Sequence, residues 1–234
     1  MKILSLDSSA IVASVALCDG DLLLGEMTLN NGNTHSETLL PMVEFLLSRF
    51  SLGVDDLDAI AVSKGPGSFT GVRIGAATVK GLAFGTKIPC IGVSTLEALA
   101  YNLVGYDGLI CPVMNARRKQ VYTALFRAKN GKLERLTPDS AIAIAELDEW
   151  LRAYDEPVRL VGDGYDITAE LLTHPMLPTP IRLRAQSAYS VAQIAKELLA
   201  TDANFPDTAL SPSYLRLSQA ERERAEKMGI DTGI

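Results

Sequence analysis

Histidine, cysteine, basic charge and long apolar runs are all scarce in this 234-residue sequence, and each scarcity argues against a class of function. His35 and His174 are the only histidines, and they form no His-x-x-x-His metal motif, so a histidine-based catalytic metal site is not expected. Nor is a nucleophilic triad: Gly67-Ser68-Phe69-Thr70-Gly71 misses the Gly-x-Ser-x-Gly spacing, and no histidine is placed as its base. Cys18, Cys90 and Cys111 form no Cys-x-x-Cys pair, and each lies in an apolar run that reads as strand. They are expected as buried thiols of a cytoplasmic protein. No apolar run approaches the roughly 18 residues of a membrane span, and the N-terminus reaches Asp7 before a signal-peptide core forms, so no membrane contact is expected. Lys and Arg number 22 against 28 Asp and Glu, a net charge of -6, which argues against a broad phosphate-binding surface. Nucleic acid would have to be met through a partner.

What is present is a chain with 47% hydrophobic and 21% charged residues, enough for one large core or two modest ones. The pattern predicts three strands at Ile3 to Leu6, Ala13 to Cys18 and Leu22 to Leu29, an antiparallel meander. Thr34-His35-Ser36-Glu37 reads as a capping box opening a helix to Phe50, with a kink expected at Pro41. A short strand at Ala59 to Ser63 leads through Gly65-Pro66-Gly67 to a helix from about Thr70 to Phe84. A strand to Val93 and a helix opened by Ser94-Thr95-Leu96-Glu97 follow. After Gly105-Tyr106-Asp107-Gly108 the order restarts. With Asp7 set on Asn115, Ile3–Leu6 falls on Cys111–Met114 and Ser14–Leu17 on Tyr122–Leu125 without a gap. Strand Leu133 to Leu136, helix Ile144 to Tyr154, strand Val158 to Val161 and a helix from about Ser187 to Leu199 complete a second α/β unit. Two domains are therefore expected, residues 1–104 and 105–234.

Asp7, at the end of the first strand, suits either a metal-bound nucleotide or an Asx-type turn, and Asn115 in its counterpart brings no charge. Asp7, Ser8, Gly65, Gly67 and Ser68 are thus a candidate nucleotide or anion turn, although Gly65, Gly67 and Gly71 match neither a Walker loop nor the dinucleotide fingerprint. The structural alternative makes the glycines a turn, Ser68 or Thr70 a helix cap and Arg73 the partner of a carboxylate. Gly162-Asp163-Gly164 reads as a turn. Gly71, Gly75, Ala77, Gly81 and Gly85 line one helix with small residues, which predicts close packing against this chain or another. The partner-binding candidates are His35, Leu39, Val43 and Leu46 on the first helix and Thr70, Val72, Gly75, Val79 and Gly81 on the second. Arg216, Arg222, Arg224 and Lys227, interleaved with Glu221, Glu223 and Glu226, read as a solvated closing helix.

Several motifs carry a family resemblance: Gly65-Pro-Gly-Ser-Phe-Thr-Gly-Val-Arg73, Ile3-Leu-Ser-Leu-Asp-Ser-Ser9, His35-Ser-Glu-Thr-Leu-Leu-Pro41, Ile91-Gly-Val-Ser-Thr-Leu96, Ala116-Arg-Arg118 and Pro212-Ser-Tyr-Leu-Arg216. Over nearly its whole length the chain resembles the TsaB (YeaZ) family, accessory proteins of bacterial tRNA threonylcarbamoyladenosine synthesis. The resemblance implies an α/β fold of the acetate kinase, sugar kinase, chaperone and actin type, with two duplicated ribonuclease-H-like halves. It further implies a non-catalytic subunit that binds and activates the threonylcarbamoyltransferase TsaD. The other implied associations are the ATPase subunit TsaE, tRNA through the complex alone, a homodimer when free, and ATP or ADP at the complex interface. The family's usual Asp-Ala-Arg is Asn115-Ala116-Arg117 here. The alternatives are an ATP-dependent small-molecule kinase, which predicts paired carboxylates, and a glycopeptidase-like hydrolase, which predicts a metal or nucleophile cluster.

Overall fold

The computed structural model describes residues 1–201 and 205–216. Its first sheet is built from β1 (Lys2–Asp7), β2 (Ala13–Asp19), β3 (Leu22–Leu29), β4 (Ala59–Ser63) and β5 (Cys90–Val93), in the order β3-β2-β1-β4-β5. The helices of this half are α1 (His35–Arg49), α2 (Phe69–Ala83) and α3 (Thr95–Tyr101). The second half has β6 (Gly108–Asn115), β7 (Gln120–Thr123), β8 (Phe126–Lys129), β9 (Lys132–Arg135) and β10 (Ser140–Ala143). It continues with α4 (Ile144–Leu151), β11 (Val158–Val161), α5 (Tyr165–Leu171), β12 (Met176–Leu177) and α6 (Ala188–Leu199). Its main path, β10-β7-β6-β11-β12, repeats the first sheet's order. The pairing senses repeat as well: β6 is antiparallel to β7 and parallel to β11, as β1 is to β2 and β4.

The expected ungapped alignment is corrected by the register. Asp7 pairs with Ser14, but Asn115 pairs with Val121, so the second hairpin is one residue shorter. The second expected strand is also divided: β7 pairs β10, whereas β8 pairs β9. The break falls at Ala124 and Leu125, where the Leu125 N–H turns to Thr137 Oγ1 (2.8 Å) and its carbonyl accepts from Leu136 and Thr137. α1 runs through Pro41 as one helix, entered at Thr34, whose N–H donates to Glu37 Oε2 (3.4 Å). α3 opens on the Ser94 hydroxyl, which accepts from the Glu97 N–H (3.3 Å), while the Glu97 carboxylate pairs with Arg135 instead of closing the box.

Alternation along the strands decides what each sheet face buries. Leu4, Leu6, Ile60 and Val62 face α1 and α2, while Ile3, Ala59, Ala61 and Ile91 face Val191, Ala192 and Ala195 of α6. In the second sheet Leu109, Cys111, Val158 and Leu160 pack with Leu147 and Leu151 of α4. Ile110, Met114 and Phe126 meet Leu96, Leu99 and Leu103 of the α3 region. The last helix of each half therefore covers the other half's sheet. Dividing the chain at residues 104 and 105 assigns α6 to the second unit, yet its packing is on the first. The three cysteines are buried and free, and burial pushes the Cys18 and Cys90 thiols up to about 11 and Cys111 to about 12. Among the described residues no helix is long and apolar enough to cross a membrane. Arg222, Arg224 and Lys227, with the intervening glutamates, lie outside the described residues.

Candidate functional site

The duplicated halves meet at a cleft of about 390 Å³. One wall is Ser9 to Ile11 with Pro66 to Phe69, the other Met114 to Arg117 with Tyr122 and Asp163, and Ser213 to Arg216 cross between them. This is where the strands β1, β4, β6 and β11 end, the position at which α/β folds gather ligands.

Asp7 does not face the cleft. It is 0% exposed, and its Oδ1 accepts from the Ser9 N–H (2.9 Å) and Ser9 hydroxyl (2.7 Å), while the Ser63 hydroxyl donates to Oδ2. Burial raises its carboxyl above the usual range, against the lowering effect of those bonds. The Asx-type turn is what the fold builds, and both oxygens are occupied. Ser8 is buried too, its hydroxyl donating to the Gly71 carbonyl (2.9 Å). Of the five residues of the candidate anion turn, Gly67 and Ser68 alone line the cleft.

The glycines are explained by close backbone approach within the chain. A Cβ on Gly67 would lie 2.3 Å from the Ser9 carbonyl oxygen, and one on Gly71 would lie 2.0 Å from that of Ser8. Gly65 has φ +109° and sits under the Ser213 carbonyl, while the Ser213 N–H donates to Lys64 O (2.6 Å). The Gly65-Pro66 bond is cis. Ser68 rather than Thr70 caps α2, its Oγ accepting from the Gly71 N–H (3.3 Å). Arg73, expected beside a carboxylate, lies over the Phe69 ring (3.9 Å) and donates to the Tyr214 hydroxyl (2.7 Å). Phe69 and Tyr214 stack with centroids 4.7 Å apart. Two motifs far apart in sequence thus form one aromatic and guanidinium stack, and no local periodicity signals that contact.

In the second half the corresponding turn stays open. Asn115 is exposed, its Oδ1 accepts from the Arg117 N–H (2.8 Å), and its own N–H donates to Asp163 Oδ1 (3.1 Å). Surrounding protein raises the Asp163 carboxyl despite bonds from neighbouring amides. Arg117, Arg118 and Lys119 all have positive φ, at 64°, 54° and 58°, and hold a basic turn of which Arg117 lines the cleft. The cleft therefore offers amides, the Ser68 hydroxyl, guanidinium groups and one carboxylate. Among the described residues no group of three His, Cys, Asp or Glu could hold a metal ion.

Most of the partner-binding candidates are core residues. Leu39, Val43, Leu46, Val72 and Val79 are at most 4% exposed, and all of them except Val72 belong to the apolar cluster that holds α1 and α2 to the sheet. Gly75 faces inward as well, where a Cβ would meet Ser8 Oγ at 2.6 Å and Val62 at 3.0 Å. His35 donates from Nε2 to the Ala10 carbonyl (2.7 Å). Thr70 is exposed, and Gly81 has nothing within 4 Å of its Cβ position. The apolar side chains that α1 and the end of α2 present to solvent are Leu40 (45% exposed), Phe45 (46%) and Phe84 (84%). A stripe read at helical spacing identifies an apolar face, and the sheet claims that face first.

Residues 30–223 match the family model described as TsaD: tRNA N6-adenosine threonylcarbamoyltransferase. The tRNA threonylcarbamoyladenosine biosynthesis protein TsaB of Bacillus subtilis is 37% identical over 231 residues, 97% of this chain and 99% of that protein. The chain belongs to the TsaB family. A Pseudomonas aeruginosa protein described as similar to peptidase YeaZ superposes with a TM-score of 0.79 at 26% identity, covering 92% of this chain and 99% of that one. Component A of the Acidaminococcus fermentans (R)-2-hydroxyglutaryl-CoA dehydratase, 9% identical, superposes with a TM-score of 0.50 over 86% of this chain and 100% of its own, which speaks to the fold alone. This TsaB-family chain has the duplicated ribonuclease-H-like architecture of the actin and sugar kinase type.

Proposed function

We propose that this chain is a non-catalytic accessory subunit of tRNA threonylcarbamoyladenosine synthesis that binds and activates a TsaD-type threonylcarbamoyltransferase. The observation that carries this reading is the full-length match to the Bacillus subtilis protein named for that pathway. The site chemistry supports it, because Asp7 is buried with both oxygens accepting hydrogen bonds, and its counterpart Asn115 is an amide. The docking surface is the outer face of α1 and α2, around Leu40, Phe45, Gly81 and Phe84. Exposed large apolar side chains on two long helices that pack side by side suit a protein contact. Free copies pair through the same face, TsaE joins the assembled complex, and ATP or ADP sits at the complex interface. In the cytoplasm, tRNA is met through the complex, consistent with a net charge of -6.

The test is reconstitution of threonylcarbamoyl transfer to tRNA from purified components. The chain alone is expected to be inert, and adding it to a TsaD-type enzyme is expected to raise transfer. Equal transfer without the chain would overturn the reading, as would ATP turnover by the chain alone that Asp7→Asn abolishes.

A further inference from the structure

Two α/β halves around a cleft hinge against each other unless something ties them. One tie is the exchange of helices, α3 packing on the second sheet and α6 on the first, with the two in contact. Neither helix lines the cleft. A second tie does. Beyond a helical turn at Asp207–Ala209, residues 210–216 leave the core of the first half and cross the cleft to the wall of the second. Leu210, 4% exposed, anchors this segment in the apolar cluster of the first sheet, against Gly92, where a Cβ would lie 3.0 Å from Leu210 Cδ1. Ser213 is fixed through its backbone: its N–H donates to the Lys64 carbonyl (2.6 Å), and its carbonyl oxygen lies 2.5 Å from where a Cβ on Gly65 would be. With φ at +109° as well, position 65 takes glycine because the segment lies on it.

The other end is held differently. Tyr214 is 43% exposed and is kept in place by the Phe69 ring (4.7 Å) and by Arg73, whose Nε donates to its hydroxyl (2.7 Å). Arg216 Nη1 reaches the second wall and donates to the Ala116 carbonyl (2.9 Å). That carbonyl precedes Arg117, Arg118 and Lys119, the three consecutive residues of positive φ. Non-glycine residues stay in that region only where their surroundings over-determine them. Arg216 is one of the contacts that do so, together with the Gln120 N–H on Arg117 O (3.0 Å) and the Ile144 N–H on Lys119 O (3.1 Å). A segment sealed in the core at one end and held by surface contacts at the other opens from the surface end, where few apolar groups are buried. Its release loosens both walls at once, since Tyr214 and Arg216 line the cleft and the support of the strained turn goes with them.

We propose that residues 210–216 are a latch that holds the cleft at one width, anchored at Leu210 and released at Tyr214 and Arg216. Latched, the two walls move as one body. Unlatched, the halves hinge and the cleft opens to solvent. The latch is built from this chain alone and needs neither partner nor nucleotide.

The experiment measures the separation of the halves in the full chain by pulsed electron paramagnetic resonance, with spin labels at Asp55→Cys and Glu149→Cys, exposed positions on the first and second half. The three native cysteines are buried and stay unlabelled. Dilution with unlabelled chain removes distances between copies. The parent is expected to give one narrow distribution. Tyr214→Ala and Arg216→Met are each expected to broaden it and add longer distances, the double variant most, with amide exchange at Ser213 and Gln120 at least about tenfold faster. Tyr214→Phe, which keeps the ring and loses the bond to Arg73, is expected to fall between the parent and Tyr214→Ala. Tyr106→Ala removes an exposed aromatic of the second half away from the cleft and is expected to leave both readouts unchanged. Thermal unfolding checks that each variant folds. The proposal is overturned if the double variant keeps the parent distribution, if the parent is already broad, or if Tyr106→Ala broadens it as much.

Discussion

The two halves share a strand order and differ in what they do with it. In the first, the turn after β1 is sealed: Ser9 and Ser63 saturate Asp7, and the glycine loop lies against the backbone of Ser8 and Ser9. Its sheet carries two 15-residue helices whose outer side leaves Leu40, Phe45 and Phe84 in solvent. In the second, Asn115 and Asp163 open onto the cleft, and the corresponding helices have 8 and 7 residues. The same frame serves once as a closed body with a long helical face and once as one wall of an open cleft. Duplication fixes where strands end, and the loops and helix lengths decide what each end can do.

The comparison breaks most sharply at α2. Gly75→Leu forces a side chain into Ser8 and Val62 and is expected to cost about 3 kcal/mol or more, seen as a collapse of the thermal midpoint. Gly81→Leu, with open space around it, is expected to hold or raise stability, since an interior glycine costs helices about 0.8 to 1.0 kcal/mol relative to alanine. If both variants unfold alike, α2 is buried on both sides and the helical face described above does not exist.

Gly67 and Gly164 sharpen it at the strand ends. Gly67→Ala sets a methyl 2.3 Å from a carbonyl oxygen and is expected to cost about 1 to 3 kcal/mol in denaturant unfolding. Gly164→Ala, 3.0 Å from Val113 O, is expected to cost about 1 kcal/mol or less. Gly162, whose Cβ would lie 2.3 Å from Val113 O, is as crowded as Gly67, so the difference in closure is confined to Gly164, and equal costs at Gly67 and Gly164 would remove it.

On the docking face, Leu40→Glu and Phe84→Glu are expected to leave unfolding within about 0.5 kcal/mol of the parent. Each is expected to weaken partner binding about tenfold, or 1.4 kcal/mol, by calorimetry. Unchanged affinity in both would move the interface elsewhere.

The smallest effect exchanges the two turns. Because burial raises Asp7, its contribution to stability is fully present below the ordinary carboxylate value and is lost as pH rises through the raised folded value. Asp7→Asn removes that titration while Ser63 can turn its hydroxyl to accept. Measured by thermal unfolding, the wild type is expected to gain on Asp7→Asn as the solution is acidified. A difference that does not vary with pH would show that Asp7 does not titrate in this range.

Much of the frame is legible in the residues. β4 and β11 fall where short apolar runs end in glycine turns, Thr34 and Ser94 mark two helix starts, and Asp7 set on Asn115 finds the repeat. The division of β7 from β8, the strand β10 and the helix α5 are not signalled, because each is defined by a pairing or a neighbour rather than by its own periodicity. The same holds at the site. The glycine motif is conspicuous in the sequence, whereas its partners, the Ser8 and Ser9 backbone and Tyr214, are identified by contact.

The sequence by itself determined most of the elements, the duplication and the family, because periodicity, caps and turns are local and motifs are read in line. The tertiary structure decided which sheet each apolar stripe covers. Leu96, Leu99 and Leu103 specify a helix with one buried face, but only packing sends that face to Ile110 and Phe126 in the other half, while Val191 and Ala195 of α6 return to Ile3 and Ala61. The hydrophobic effect is non-directional, so a stripe carries the requirement to be buried without naming its partner, and shape and chain connectivity supply the choice.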